Sequence, residues 1–221
     1  MNTAEVSLKP ATRQHLQNLI SRYPDLEAQS SAMVRAVGLL CNCHRQRHKI
    51  LTCGNGGSAA DSAHIVGELM KGFCLRRPLP ESEIGRFRKA GVEDYQRFAQ
   101  HLQMGIAAVG LCENAILNSA VANDNDPEMI FAQQVYGLGR PGDVLIGLST
   151  SGRSRNVVSA LKVARTLGLS TIGFTGANPA AMDAWCDVVF KAPATETYKV
   201  QEHHLPLYHT LCLMAEQELF G

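Results

Sequence analysis

The feature that most constrains this chain is a repeated alternation, from Lys49 onward, of short apolar runs with polar turns and helical stretches. Each run ends near a cluster of Gly, Ser or Thr, which is typical of a buried strand. Strands that alternate with helices form parallel sheets, because each crossover helix packs back onto the sheet. The sequence therefore predicts an α/β fold with a five-stranded parallel sheet. The candidate strands are KILTC (49–53), IAAVGL (106–111), DVLIGL (143–148), STIGF (170–174) and DVVFK (187–191).

Helical periodicity marks the segments between these strands and the segment before the first of them. Residues 1–48 carry apolar residues at helical spacing, interrupted at Pro24, and predict two helices ahead of the sheet. A length of 221 residues fits one domain with a single core. Further helices are predicted at about 58–71, 127–138, 156–167, 180–185 and 200–220.

Residues 74–103 interrupt the alternation with two prolines, many charges and weak helical periodicity. We interpret this segment as an inserted excursion between two strands. Its basic residues could face an anionic ligand, but four carboxylates lie among them, so a solvated face is expected. The basic residues are Arg76, Arg77, Arg86, Arg88 and Lys89.

Charge and hydropathy argue against several classes of protein. The 21 basic and 20 acidic residues give a formal net charge of +1, so no general basic field would concentrate nucleic acid or anionic lipid. No apolar run approaches the roughly 20 residues of a membrane helix, and the first residues do not follow the plan of a signal peptide. Seven cysteines, an odd number in mostly apolar surroundings, are typical of core thiols in a reducing compartment. We therefore expect a cytoplasmic protein that binds neither nucleic acid nor membranes.

The first candidate site is the glycine-rich loop that follows KILTC and opens the next helix. Gly54, Gly56 and Gly57 let the backbone approach a ligand, and the free amides of the first helical turn attract anions. The loop also satisfies a dinucleotide-binding fingerprint, but the acidic residue that would bind the ribose about 20 positions later is missing. A small phosphorylated or polyhydroxylated ligand is therefore favoured over NAD.

The second candidate site is a turn with four hydroxyls, Ser149, Thr150, Ser151 and Ser154, directly after DVLIGL. Each hydroxyl can donate to a phosphate oxygen and the turn amides add donors, so a phosphate could be held without lysine. The alternative is a turn that merely caps the following helix, which would use fewer hydroxyls. Because ligands of open parallel sheets bind at the carboxyl ends of strands, the two loops predict one site at that edge.

Two groups of titratable residues could supply chemistry near these loops. His64 and Glu68 are four residues apart on a predicted helix and so share one face, where they could hold a metal or act as acid and base. A surface pair is the alternative. The stretch 201–209 contains three histidines and a glutamate. Pro206 predicts that the regular helix begins near it, and His209, among apolar residues, is expected to be partly enclosed.

Taken in order, CGNGGSAADSAHIVGEL, NDND (123–126), LSTSGRSRNV and VQEHHLPLYH resemble the sugar isomerase (SIS) domain family, and within it the phosphoheptose isomerase branch. The resemblance implies one SIS domain over 1–221, a three-layer sandwich with a five-stranded parallel sheet and N-terminal helices. It implies interconversion of sedoheptulose 7-phosphate and D-glycero-D-manno-heptose 7-phosphate. It also implies a homotetramer with active sites shared between chains.

The resemblance further implies roles for individual residues. Glu68 matches the general base of the family and His209 its partner acid. His64, Glu68, Gln201 and His209 match positions that bind zinc in some members. The implied substrate-binding set, for the phosphate and the sugar hydroxyls together, is Asn55, Gly56, Gly57, Ser58, Asn123, Asp124, Ser149, Thr150, Ser151, Ser154 and Gln201.

The spacing of Gln201 and His209 constrains how they could share a metal. On one continuous helix they would be separated by about 12 Å along the axis and about 80° around it, which one metal could hardly bridge. Either Gln201 precedes the regular helix, or a second chain completes the site, with the helices of 1–48 as material for the interface. The alternatives to an isomerase are a non-catalytic sugar-phosphate-binding or replication-initiator-associated SIS protein, and an NAD-dependent enzyme. Neither needs Glu68, His209 and Gln201 together.

Overall fold

A five-stranded parallel sheet organises the computed structural model, which describes residues 8–221. The strand order is β2-β1-β3-β4-β5, and every neighbouring pair is parallel. All five predicted strands are confirmed. They are β1 Ile50–Cys53, β2 Ala108–Gly110, β3 Val144–Leu148, β4 Ser170–Thr175 and β5 Val188–Lys191.

Helices fill the connections and precede the sheet, as the alternation predicts. They are α1 Pro10–Arg22, α2 Ser30–Arg45, α3 Gly57–Met70, α4 Glu81–Lys89, α5 Tyr95–His101, α6 Ala115–Asp124, α7 Ile130–Leu138, α8 Arg155–Thr166 and α9 Thr197–Phe220. The excursion 74–103 contributes α4 and α5. Of the residues that the structure describes, none form a helix long and apolar enough to cross a membrane.

Side chains alternate between the two faces of the sheet and so build two cores. Ile50 and Ile146 point into a core shared with α1, α2, α3 and α9. Leu51 and Leu145 point to the opposite face, which α7 and α8 cover. The result is the predicted three-layer sandwich. The two leading helices belong to the first of these cores, with Leu19 of α1 and Leu40 of α2 buried in it.

Two predicted connections differ from the structure. The helix expected near 180–185 is only a 3-10 turn at Asp183–Trp185, because the Asp183 carboxylate accepts from the Ala180 amide at 2.9 Å and binds Lys191 at 2.7 Å. These contacts fasten a tight turn directly ahead of β5. Helix α6 was not predicted. Its N-terminus is capped by the Asn114 side chain, which accepts from the Leu117 amide at 3.2 Å.

The last helix runs unbroken through Pro206, contrary to the sequence prediction. Proline lacks the N–H that would bond the carbonyl four residues earlier, so an interior proline normally weakens a helix. Here Leu207, Leu211 and Met214 of α9 are fully buried against the sheet and its covering helices, and this packing holds the helix together. Gln201 therefore lies inside the helix, which removes the first of the two alternatives for its position.

Four of the seven cysteines are buried, Cys112 and Cys186 are partly buried, and Cys74 is exposed. All seven are free thiols, and burial raises the pKa of Cys41 to about 11 and that of Cys43 and Cys186 to about 12. Thiols with such pKa values stay protonated near neutral pH and are poor nucleophiles and metal ligands. The structure thus agrees with a packing role for these three.

Candidate active site

The two polar loops lie together at the carboxyl edge of the sheet. They follow β1 and β3, which are adjacent, with Cys53 paired to Gly147. The side-chain amides of Asn55 and Asn156 exchange two hydrogen bonds, each 2.9 Å long, that join the glycine loop to the start of α8. The topology thus brings both loops to one cleft edge, where ligands of open sheets bind.

Glycine is required in the first loop for two different reasons. Gly56 adopts φ +55°, a left-handed conformation that other residues rarely take. Gly57 begins α3, where a Cβ atom would lie 2.5 Å from Nε2 of Gln201. Gln201 on α9 is therefore packed against the N-terminal turn of α3. Ser58 lies buried in the same turn and donates its amide to the Asn55 carbonyl at 3.0 Å.

The second loop divides its hydroxyls between two tasks. Ser149 and Ser154 bond to each other at 2.9 Å, and Ser151 Oγ accepts from the Arg153 amide at 3.2 Å. These bonds fasten the turn, but the Ser154 side chain at the N-cap of α8 makes no capping hydrogen bond, so the structure does not show the helix cap of the alternative interpretation. Thr150 and Ser151 also line a cavity of about 150 Å³, together with Arg153, Thr175, Gly176, Ala177, Asn178, Ala194 and Thr195. Its hydroxyls and backbone amides suit a phosphate group.

His64, Glu68 and His209 converge where α3 and α9 lie side by side. His64 Nε2 is 3.1 Å from Glu68 Oε1 and 3.3 Å from His209 Nε2. The His64 side chain is 41% exposed and the Glu68 side chain 14%, so the cluster opens to a ligand on one side. Burial lowers the pKa of His209, and the neighbouring His64 lowers it further. His209 is therefore neutral near pH 7, and a neutral imidazole can both donate and accept a proton.

The donor set of this cluster fits zinc in its chemistry. Two imidazole nitrogens and a carboxylate are typical ligands of a catalytic zinc site. In a tetrahedral site, bonds of about 2.0–2.1 Å separate neighbouring donors by about 3.3 Å, close to the measured 3.1 and 3.3 Å. Within residues 8–221, however, no group of three or more His, Cys, Asp or Glu side chains is already arranged to hold a metal ion. Gln201 packs against Gly57, about 10 Å along α3 from His64.

Asn123 and Asp124 are implied sugar-binding residues that lie outside the two loops. Both are exposed at the C-terminal end of α6, where Asn123 Nδ2 donates to Asp124 Oδ1 at 2.8 Å. Within residues 8–221 no hydrogen bond connects either residue to the glycine loop or the hydroxyl turn. Their implied role with the sugar stays a prediction.

Sequence reasoning missed several residues that the structure places around this cluster. Tyr208 bonds both Asp61 and His64, and Arg77 forms a buried ion pair with Glu216 behind Glu68. Arg77 is thus not on the solvated face that its charged surroundings indicated. The available signal was weak: Asp61 precedes His64 by three residues on α3, which places both on one side of the helix.

His204, one of the three histidines in the stretch 201–209, is fully buried on α9. Its Nε2 donates to the Thr175 carbonyl at 3.4 Å, while Nδ1 has no partner in the described structure. Burial lowers its pKa from 6.5 to about 4. His204 is therefore neutral in the folded protein at neutral pH.

This buried histidine makes stability depend on pH. Between pH 6.5 and 4 the unfolded chain binds a proton that the native chain does not, so the His204 contribution is fully present above pH 6.5 and is lost as pH falls to about 4. We expect a loss of about 3 kcal/mol in the free energy of unfolding across this window. Urea unfolding at several pH values should show a shallower slope for His204→Gln, but not for His101→Gln on the exposed side of α5. Equal slopes in all three proteins would contradict the assignment.

Both loops, together with His64 and Glu68, fall within a region of similarity to a known protein family. The SIS domain family model matches residues 14–103 and 97–176. The phosphoheptose isomerase of Burkholderia pseudomallei strain K96243 is 37% identical over 191 residues, which are 86% of this chain and 84% of that protein. The phosphoheptose isomerase of Trichlorobacter lovleyi is 36% identical over 207 residues, or 93% of this chain and 92% of that protein.

The fold is also similar to that of a solved phosphoheptose isomerase structure. The phosphoheptose isomerase from Neisseria gonorrhoeae superposes with a TM-score of 0.71 at 30% sequence identity. The match covers 94% of this chain and 97% of that chain. Sequence and structure thus agree over nearly the whole length of the molecule.

Proposed function

The chain belongs to the phosphoheptose isomerase family of SIS-domain proteins, and from this premise we propose that it interconverts sedoheptulose 7-phosphate and D-glycero-D-manno-heptose 7-phosphate. The observation that carries the proposal is the convergence of Glu68, His64 and His209 beside two anion-binding loops at one sheet edge. A carboxylate and a neutral imidazole are the groups that an aldose–ketose isomerisation requires.

The reaction moves a carbonyl between C2 and C1 through an enediol. One group must carry a proton between the two carbons, and another must move a proton between the two oxygens. Glu68 is assigned as the carbon base, because it is the carboxylate among these three residues. His209 serves the oxygens, since its lowered pKa keeps the imidazole neutral and able to donate and then recover a proton.

We also propose a zinc ion held by His64, Glu68 and His209. When bound there, zinc would polarise the carbonyl and stabilise the enediolate charge. A carboxylate bound to metal is a weaker base, so Glu68 must exchange between binding and proton transfer. Gln201 would join this set only by moving from Gly57 or by acting across subunits.

The assembly proposed with this function is a cytoplasmic homotetramer with active sites shared between chains. Exposed apolar residues on α6 support an interface, since Ile116 is 86% exposed beside the exposed Leu117. Free cysteines support a reducing compartment. Sedimentation equilibrium tests the assembly, and a monomer that keeps full activity would contradict it.

The phosphate of the substrate is assigned to the cavity beside Thr150 and Ser151. Removing the Ser151 hydroxyl should raise KM by about 10- to 100-fold with little change in kcat, because a phosphate contact contributes equally to ground-state and transition-state binding. Steady-state kinetics of Ser151→Ala test this, with Ser82→Ala on the exposed side of α4 as the control. An unchanged KM would place the phosphate elsewhere.

The experiment that tests the function is isomerase activity on sedoheptulose 7-phosphate with protein as purified, after chelation, and after zinc is added back. Activity that chelation removes and zinc restores supports the reaction and the metal together. Activity that ignores chelation supports the reaction and rejects the metal. Folded protein without turnover in any condition would reject the proposal and favour a non-catalytic sugar-phosphate-binding role.

A further inference from the structure

A buried tyrosine links the cluster to a carboxylate that takes no part in the proposed chemistry. Tyr208 is fully buried on α9, and its hydroxyl lies 3.0 Å from His64 Nδ1 and 3.2 Å from Asp61 Oδ1. The phenol ring meets the His64 and His209 rings edge-on, with centroids 5.4 and 5.0 Å away. Packing therefore fixes the hydroxyl at a point where, among residues 8–221, Asp61 and His64 are its hydrogen-bond partners.

Counting hydrogens at this point assigns the proton on His64. The phenol has one hydrogen to donate, and an ionised carboxylate can only accept. Tyr208 therefore donates to Asp61, and its oxygen must accept from His64 Nδ1. With Asp61 ionised and the His64 ring neutral, this requires a hydrogen on Nδ1 and leaves Nε2 with a free lone pair.

That lone pair faces two other acceptors. His64 Nε2 is 3.1 Å from the Glu68 carboxylate and 3.3 Å from Nε2 of the neutral His209. A hydrogen on His209 Nε2 could bridge the contact between the two imidazole nitrogens. The contact between His64 Nε2 and the Glu68 carboxylate would then still have no hydrogen. A cation is thus the group that best satisfies the remaining lone pairs of His64, Glu68 and His209. The Nδ1–H form of His64 is the form that can bind a metal cation through Nε2.

We propose that Asp61 and Tyr208 are positioning residues that hold His64 in its Nδ1–H form and so present its Nε2 to a divalent metal ion. The inference rests on the proposed function only for the purpose of the metal ion. The contacts that support it do not depend on that function. Neither residue touches the substrate in this assignment. A ligand histidine whose second nitrogen is hydrogen-bonded to a carboxylate through an intermediate group binds metal more tightly, because its ring is oriented before the metal arrives.

The competing arrangement of the hydrogens has a protonated Asp61. If Asp61 carried the proton, it would donate to Tyr208, and Tyr208 would donate to His64 Nδ1, so the ring would carry its hydrogen on Nε2. Burial raises the pKa of Asp61 above its ordinary value, because it outweighs the hydrogen bond from Tyr208 and the charge of a protonated His64, both of which lower the pKa. The two arrangements differ in which ring nitrogen is protonated, which nitrogen NMR reports directly.

The test is made on the metal-free protein with ¹⁵N-labelled histidine, and it needs no sugar phosphate. In the wild type at alkaline pH, where imidazole rings are neutral, we expect a pyrrole-type Nδ1 and a pyridine-type Nε2 for His64. Tyr208→Phe keeps the buried ring and removes the hydroxyl, so the tautomers should mix and zinc affinity, measured against a chelating dye, should fall 10- to 100-fold. Tyr136→Phe, at an exposed tyrosine of α7, should leave both unchanged.

Two results would overturn the inference. One is an Nε2–H form of His64 in the wild type, a measurement that does not depend on any variant folding. The other is a folded Tyr208→Phe or Asp61→Asn protein that binds zinc as tightly as the wild type. Because both readouts omit the substrate, a protein with the expected tautomer and no isomerase activity would reject the proposed function and leave this inference standing.

Discussion

Replacing Glu68 by glutamine is expected to lower kcat by about 10²- to 10⁴-fold while the dissociation constant for sedoheptulose 7-phosphate changes less than tenfold. The amide has the shape of the carboxylate and can still bond His64, which lies 3.1 Å away. It cannot take a proton from carbon. Steady-state kinetics give kcat, and calorimetric titration of the variant with the sugar phosphate gives the binding constant.

The control for this change is Glu83→Gln, which removes a partly exposed carboxylate of α4 that pairs with Arg86 and should leave kcat unaltered. Zinc content separates the two roles that Glu68 could have. A variant that binds substrate and zinc but does not turn over identifies Glu68 as the base. A variant that loses substrate binding together with turnover would contradict that assignment and make Glu68 a structural residue or a metal ligand alone.

The sheet and the position of the loops could be predicted from the sequence because both depend on local patterns. An apolar run such as DVLIGL can only be a buried strand when polar turns bound it, and the loop after it must then lie at the carboxyl edge. The pairing of His64 with Glu68 followed from their spacing on one helix. In each case the residues that decide the structure are close together in the chain.

The parts that could not be predicted depend on contacts between distant residues. Pro206 argues for a helix start, but burial of α9 outweighs the lost hydrogen bond. Tyr208 meets Asp61 across 147 positions, and no local pattern links them. Arg77 belongs by composition to a charged surface, yet Glu216, 139 positions away, draws it into the core.

The Arg77–Glu216 pair connects the excursion, α9 and the active site. Glu216 accepts from the amides of Phe73, Cys74 and Leu75 at 2.8–3.0 Å and from Arg77 Nε at 2.8 Å. Burial would raise the pKa of Glu216, but these bonds hold it below its ordinary value, so the carboxylate stays ionised.

The same guanidinium also closes the end of α3. Arg77 donates to the carbonyl oxygens of Leu69 at 2.8 Å and Glu68 at 3.3 Å. One buried side chain thus satisfies the last turn of the helix that carries Glu68, while its charge neutralises Glu216. The excursion is therefore part of the support of the site.

Removing this guanidinium should be strongly destabilising. Arg77→Ala leaves Glu216 as an uncompensated buried charge and frees two helix carbonyls, and the free energy of unfolding should fall by about 3–5 kcal/mol. Urea unfolding at neutral pH measures the loss. Because the uncompensated Glu216 can escape its burial cost by taking a proton, the difference between Arg77→Ala and the wild type should shrink as pH falls towards the ordinary pKa of a glutamate, and shrink further below it as the wild-type carboxylate is protonated.

The matched control for Arg77→Ala is Arg86→Ala in the same excursion. Arg86 pairs with Glu83 at 2.9 Å, nearly the 2.8 Å of Arg77 and Glu216, but the Arg86 side chain is 76% exposed. An exposed pair of this kind contributes at most about 1 kcal/mol. The comparison therefore holds the ion-pair distance nearly constant and changes burial. Equal losses from the two substitutions would mean that Arg77 is not the buried anchor of the excursion, and that α3 keeps Glu68 in place without it.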